Sequence, residues 1–287
     1  CSNQPISCTP PSSESQLTEM SGGWCHTKNT NGIYYLLDNQ KCTLTYTIHV
    51  KENNALHLIG KNNIDGSSQS IITGNYKTRL FLVTDNGQLT MQNIIIENGM
   101  PSIMLNDKED YPEYWNFSPL WKSSVYNDSS LISSLTHSGS GGCIYVNRGS
   151  LTLINATVRY CIATAQGNNS SSIGGGGGIF SSKSKIHLNN VNIIKNQAAN
   201  GGGILAVKGS EITFEKGTKT NIFQNKLTEL SATMTEKPTK IIKSNNGGGM
   251  YLINSNINIS GTNTTLILRD NGGSYTYQSD GSACSLL

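Results

Sequence analysis

Apolar residues along this chain alternate with polar ones in short bursts, and the bursts themselves recur. Gly141-Gly142-Cys143-Ile144-Tyr145-Val146, Gly176-Gly177-Gly178-Ile179-Phe180, Gly201-Gly202-Gly203-Ile204-Leu205 and Gly247-Gly248-Gly249-Met250-Tyr251 each set a glycine-rich turn before an apolar run. In three copies the first apolar residue (Ile144, Ile179, Met250) is followed at a fixed interval by Leu151, Ile186 or Ile257, and two positions later by Leu153, Leu188 or Ile259. Leu82, Leu89 and Met91 keep these offsets without the glycines, and Ile212 with Phe214 keep them with one residue inserted. Each copy closes on an aliphatic residue spaced three before Asn: Ile95 to Asn98, Ile193 to Asn196, Ile222 to Asn225 and Leu268 to Asn271, with Val158 to Cys161 in the remaining copy. Spacing of two inside each burst predicts β-strands, and the Gly, Asn, Ser and Thr around them are indifferent or poor helix formers.

A unit of three short strands that recurs with like residues at like positions is one coil of a solenoid. The predicted fold is all-β: a single right-handed parallel β-helix, three strands per coil, over residues 25–272. An N-terminal extended arm or cap (1–24) precedes it and a tail (273–287) follows. One coil alone cannot bury its inward Leu and Ile. Coils stacked ~4.8 Å apart place them in columns and pair each backbone group above and below. Asn98, Asn196, Asn225 and Asn271 are then expected to form a ladder of side-chain amides at one corner. The glycines suit the next corner, where the chain needs positive φ or close backbone approach.

Three insertions, near 100–140, 162–175 and 226–246, fall at the same point of the coil and so on one face, which in repeat proteins is often the contact face. The largest carries Tyr111, Tyr114, Trp115, Phe117, Trp121 and Tyr126 beside Asp107, Glu109, Asp110 and Glu113. That cluster reads either as a satellite core against the flank of the solenoid or as a sugar-binding platform.

Composition narrows the partners. Lys and Arg exceed Asp and Glu by three and charged residues are 14% of the chain, too weak a basic field to expect nucleic acid. No apolar run approaches the ~18 residues of a membrane span, so no transmembrane segment is expected. The sequence contains 33 Asn, 35 Ser and 30 Gly, a composition suited to turns and polar ladders.

The sequence opens on Cys1 rather than Met, as a mature chain freed of a signal peptide would. N-x-S/T triplets begin at Asn116, Asn127, Asn155, Asn168, Asn169, Asn258 and Asn263, which makes N-linked glycans expected partners. Asn258 is the best placed, between Ile257 and Ile259 whose alternation turns it outward. Of seven cysteines, Cys143 takes the third glycine position and Cys161 the corner-Asn position of one copy. Consecutive corners are neighbours, so these two are predicted to form a disulfide. Cys25 with Cys42 is the second predicted pair. Cys1 with Cys8 would leave Cys284 free, though other pairings are equally allowed.

The glycine run followed by an aliphatic residue, alternating with an apolar residue three before Asn, resembles the paired tetrapeptide repeats of the polymorphic membrane proteins, which are autotransporter-like surface adhesins. More widely, residues 30 to 272 resemble right-handed parallel β-helix proteins of the pectate-lyase-like superfamily. The cysteines and sequons together make an extracellular or cell-surface location the expectation.

Catalytic β-helices act through clustered carboxylates, or through Arg and Lys beside calcium. The outward positions here, among them Thr90, Gln92, Thr152, His187, Asn192, Thr213 and Asn258, hold no carboxylate pair. Asp85-Asn86-Gly87 and Asp270-Asn271-Gly272 read as turn formers, the five His have no metal spacing, and the glycine runs lack the Lys and helix of a phosphate loop. No catalytic residue, metal or cofactor is therefore expected. The leading expectation is a secreted, non-enzymatic structural subunit of a filament or surface assembly, partnered by copies of itself or other subunits. The alternatives are an adhesin binding glycans or matrix through the insertion face, and a polysaccharide lyase or glycosidase.

Overall fold

The structure, a computed structural model, describes residues 24–61, 69–101, 139–163, 175–198, 200–227, 247–259 and 264–271. The described chain is a stack of parallel coils. One sheet of seven strands contains Gly32–Tyr35, Ala55–Ile59, Gln88–Gln92, Ser150–Ile154, Lys185–Asn189, Glu211–Phe214 and Asn256–Ile259, in that spatial order. A second, also of seven, contains Lys41–Thr43, Ser70–Thr73, Ile94–Glu97, Thr157–Arg159, Asn192–Ile194, Lys219–Phe223 and Thr265–Arg269. The third has six: Ile48–Val50, Phe81–Thr84, Ile144–Asn147, Ile179–Ser182, Ile204–Val207 and Met250–Ile253. The chain visits the first, second and third sheets in turn and then climbs one coil, so strand neighbours in space lie one coil apart in sequence. This is the parallel β-helix architecture expected from the repeat.

Register puts like on like. Leu56, Leu89, Leu151, Ile186, Ile212 and Ile257 form one inward column, and Leu58, Met91, Leu153, Leu188, Phe214 and Ile259 the next. From Leu56 to Phe214 these side chains are at most 1% exposed. Burying each contributes about 1.5–3 kcal/mol, and a column achieves it without any coil having a core of its own.

The ends differ. At the first coil, the four-residue helix Trp24–Thr27 drops Trp24 into the core, where its ring stacks on Phe81 at 6.1 Å and its indole N–H donates to the Asn29 carbonyl. Cys25 is joined to Cys42, an inward residue of the second sheet, which ties this plug to the first coil. The remainder of the expected arm and the expected tail lie outside the described residues, as does the aromatic cluster of 111–126.

In the third sheet the outward side is apolar too. Tyr145, Phe180, Leu205 and Val207 point away from the main core, yet are at most 2% exposed, and form a second hydrophobic cluster with Leu82, Tyr251 and Ile253 at its margin. Tyr145 and Phe180 stack at 4.7 Å, and the Arg79 guanidinium lies 5.1 Å from the Tyr145 ring. Burial drives the Tyr145 phenol well above its ordinary pKa, against the pull of Arg79. Arg79 also donates to the carbonyls of Ser140 and Gly141, fixing the chain where it re-enters the helix after the first insertion.

Candidate functional site

The corner between the second and third sheets carries the predicted amide ladder. Asn225 Oδ1 accepts from both the backbone N–H and the side-chain amide of Asn196 at 3.0 Å, and Asn271 Oδ1 does the same for Asn225 at 3.1 Å. The side-chain amides of Asn196, Asn225 and Asn271 donate in turn to the carbonyls of Val158, Ile193 and Ile222. Below them, Asn196 Oδ1 accepts from the N–H of Cys161, which stands in the same column.

Asn98 is not in this ladder, contrary to the expectation. Ile96 pairs with Val158 and Glu97 with Arg159, so the residue that meets Cys161 is Gly99. Three consecutive isoleucines, 94 to 96, hid the phase of the strand: Ile94 and Ile96 point inward, not Ile95. Asn98 instead donates to Thr73 and Glu97, and its φ of 54° places it in a separate column with Tyr160, Lys195, Gln224 and Asp270, all of them left-handed.

Across from the ladder, the glycine corner works in two ways. Gly201 has φ +57°, where a Cβ is strained. Gly177 has an ordinary φ, but a Cβ there would collide with the carbonyl of Gly202 on the next coil. The third glycine faces the ladder: Gly178 lies against Asn196, Gly203 against Asn225 and Gly249 against Asn271. In the copy where this pair is Cys143 and Cys161, the structure joins the two sulfurs, with Cα atoms 5.4 Å apart. The disulfide therefore replaces a glycine–asparagine contact at the same corner.

A second amide ladder, which the sequence reading missed, lines the corner between the first and second sheets. Asn93 donates to the Gly60 carbonyl, Asn155 to Asn93 Oδ1 and Asn190 to Asn155 Oδ1, and Asn190 Oδ1 accepts from the N–H of Lys219. All three asparagines have φ between 48° and 57°. The signal was present, since each stands two residues after an inward residue, Met91, Leu153 or Leu188. Of the sequons, Asn155 is thus committed to the ladder through both ends of its amide, while Asn258 is exposed on the last strand of the first sheet. Asn116, Asn127, Asn168, Asn169 and Asn263 lie outside the described residues.

One charged cluster is partly buried. Arg159 Nη2 and Nε meet Glu97 Oε2 at 2.7 and 2.8 Å, with the Tyr160 ring 5.6 Å from both the Arg159 guanidinium and the Lys195 ammonium. Burial, then the charge of Glu97, raises the pKa of the nearby Tyr76 phenol. His57, on the outward side of the first sheet, has its pKa lowered by burial, and its Nε2 has no hydrogen-bond partner. Among the described residues no three His, Cys, Asp or Glu side chains converge to hold a metal, and no helix is long and apolar enough to cross a membrane.

Apolar inward positions lose their cover at the last described coil. In the last coil Met250, Leu252, Ile257, Leu266 and Leu268 are only half-buried and Ile259 is 46% exposed. Their column neighbours one coil earlier, Ile204, Ala206, Ile212, Thr220, Ile222 and Phe214, are at most 1% exposed. The three terminal strands also leave their outer hydrogen-bonding edge without a strand partner among the described residues.

No family model matches this chain, and no curated protein or solved structure matches it either.

Proposed function

We propose that this protein is a secreted, non-catalytic structural subunit, a rigid β-helical rod that joins other copies of itself through the end of its stack. The observation that carries the reading is a contrast in the inward columns: Trp24 plugs those of the first described coil, while those of the last described coil are only half-buried, and its three strands have no outer strand partner among the described residues. Such edges pair with another β-structure when one is offered. The best complement to a coil is another coil, because it continues the apolar columns and the backbone ladders together. Two disulfides and an exposed sequon at Asn258 support an extracellular setting with an N-linked glycan. The repeats' resemblance to surface-adhesin passengers supports the same setting, and a right-handed coil follows the general hand of parallel crossovers.

Light scattering on the purified full chain over a range of concentrations, with negative-stain microscopy, tests the reading. Concentration-dependent species of two or more subunits are expected, lost in Ile259→Lys while the melting temperature is kept. A wild-type chain that stays monomeric at every concentration overturns it.

A further inference from the structure

The corner between the third and first sheets holds a chemical regularity. Register aligns Asp85, Arg148, Lys183, Lys208 and Asn254 on successive coils, one coil apart, or ~4.8 Å. All five have φ between 48° and 56°. Asp85 and Asn254 show that the short residues suited to this conformation fit here, yet three consecutive coils carry a long cation. The comparable left-handed column at the other corner is chemically mixed, with Asn98, Tyr160, Lys195, Gln224 and Asp270. Lys185 begins the next strand beside Lys183 and adds a fourth cation.

Charges are stacked here on a rigid base. Ser184 Oγ accepts from the N–H of Gly149, and Ser210 Oγ from the N–H of Ser184, so the backbone under the cations is cross-linked coil to coil. Arg148 and Lys183 are exposed and Lys208 half-buried, and burial, then the charge of Lys183, lowers the Lys208 pKa. Among the described residues, the acidic groups near the stripe are Glu211, paired in register with Lys185, and Asp85 and Glu52 at its lower end, where Glu52 meets Lys51. Counted over the described residues, the corner from Arg148 to Lys208 is therefore net positive, and Asp85 sets its limit.

We propose that this stripe binds a linear sulfated polysaccharide, with successive sulfate groups set against Arg148, Lys183 and Lys208. An extended glycan and the coil stack advance by comparable steps, so one chain meets the cations in series. Three of the four cations are lysines, point charges that make no planar, bidentate demand on the anion, and a sulfate ester stays ionised at any working pH. The line is one residue wide, which fits a single strand rather than a membrane surface. Among the described residues the corner offers no aromatic ring on which a nucleobase could stack. Array rigidity lowers the ordering cost of binding. This inference is independent of self-assembly.

Fluorescently labelled dextran sulfate, titrated by anisotropy into the full chain at rising salt, tests the proposal. Binding is expected, weakening with salt as counterion release requires, and unmodified dextran should not bind. The triple variant Arg148→Asn, Lys183→Asn, Lys208→Asn introduces the residue that already occupies the column at position 254, and should weaken binding about tenfold or more. If it melts early, Lys183→Gln with Lys185→Gln serves in its place, with a smaller loss in the same direction. Absence of binding at low salt, or full affinity in the variants, overturns the proposal. So does tighter binding of oligothymidylate, oligogalacturonate or phosphatidylserine vesicles than of dextran sulfate.

Discussion

Single residues hold the corners. Asn225 is the middle of the longer amide ladder, accepting two donors from Asn196 and donating to Ile193. Asn225→Ala leaves those buried groups unpaired, each at about 1–3 kcal/mol, so a loss of about 3 kcal/mol or more is expected from the midpoint of denaturant unfolding. Asn98→Ala, one register away and only partly buried, gives up two amide contacts and sets alanine at φ 54°, and should cost about 1–2 kcal/mol, less than Asn225→Ala. His57 gives a pH signature. Its folded pKa lies below the ordinary 6.5, so the unfolded chain takes up the proton first as pH falls. The stability it contributes is full above pH 6.5 and lost on acidification from there down to its folded pKa. His57→Thr, the residue that follows it in register at Thr90, should flatten the melting temperature between pH 7 and pH 5.

At the scale of the element, the three-strand coil was legible because each burst recurs with its turn. The columns of Leu151 with Ile186 and Leu153 with Leu188, the glycine corner and the Cys143–Cys161 neighbourhood are all legible in the spacing of the residues. Legibility failed where the pattern was locally degenerate. Ile94 to Ile96 offered two phases, and hydrophobicity alone does not choose between them. The Asn93, Asn155 and Asn190 ladder was obscured by treating Asn155 as a sequon. That Tyr145 and Phe180 are buried on their outward side was out of reach, because alternation says which way a side chain points and not what lies against it. The interchange of disulfide and glycine–asparagine pair makes a prediction at this scale. Cys161→Ser alone removes a cross-link whose loop entropy is about 3 kcal/mol and leaves Cys143 unpaired. The double variant Cys143→Gly, Cys161→Asn rebuilds the contact seen at Gly178 and Asn196, and should recover a good part of the lost melting temperature. Gly177→Ala, whose new methyl would strike the Gly202 backbone, is expected to prevent the coils from closing. Gly209→Ala has open space and should cost only the left-handed strain of about 1–2 kcal/mol.

The whole molecule behaves as a one-dimensional stack, in which a coil is stable through its two neighbours. A middle coil has both. The last described coil has one, and its inward residues show it: Ile257 and Leu268 are half-buried where Ile212 and Ile222 are sealed. Opening free energy should therefore decline toward that end, while Trp24 and the Cys25–Cys42 bridge hold the other. Amide hydrogen exchange on dilute protein is expected to be fast in 250–253, 256–259 and 265–269, and slow in the matching strands 179–182, 185–189 and 192–194. If copies join through the open end, raising the concentration supplies the missing neighbour, and protection should rise in the terminal strands alone. Ile259→Lys should keep those strands fast at every concentration. Terminal strands as slow as the middle in dilute solution would mean that the end is already sealed, and would remove the basis for assembly through it.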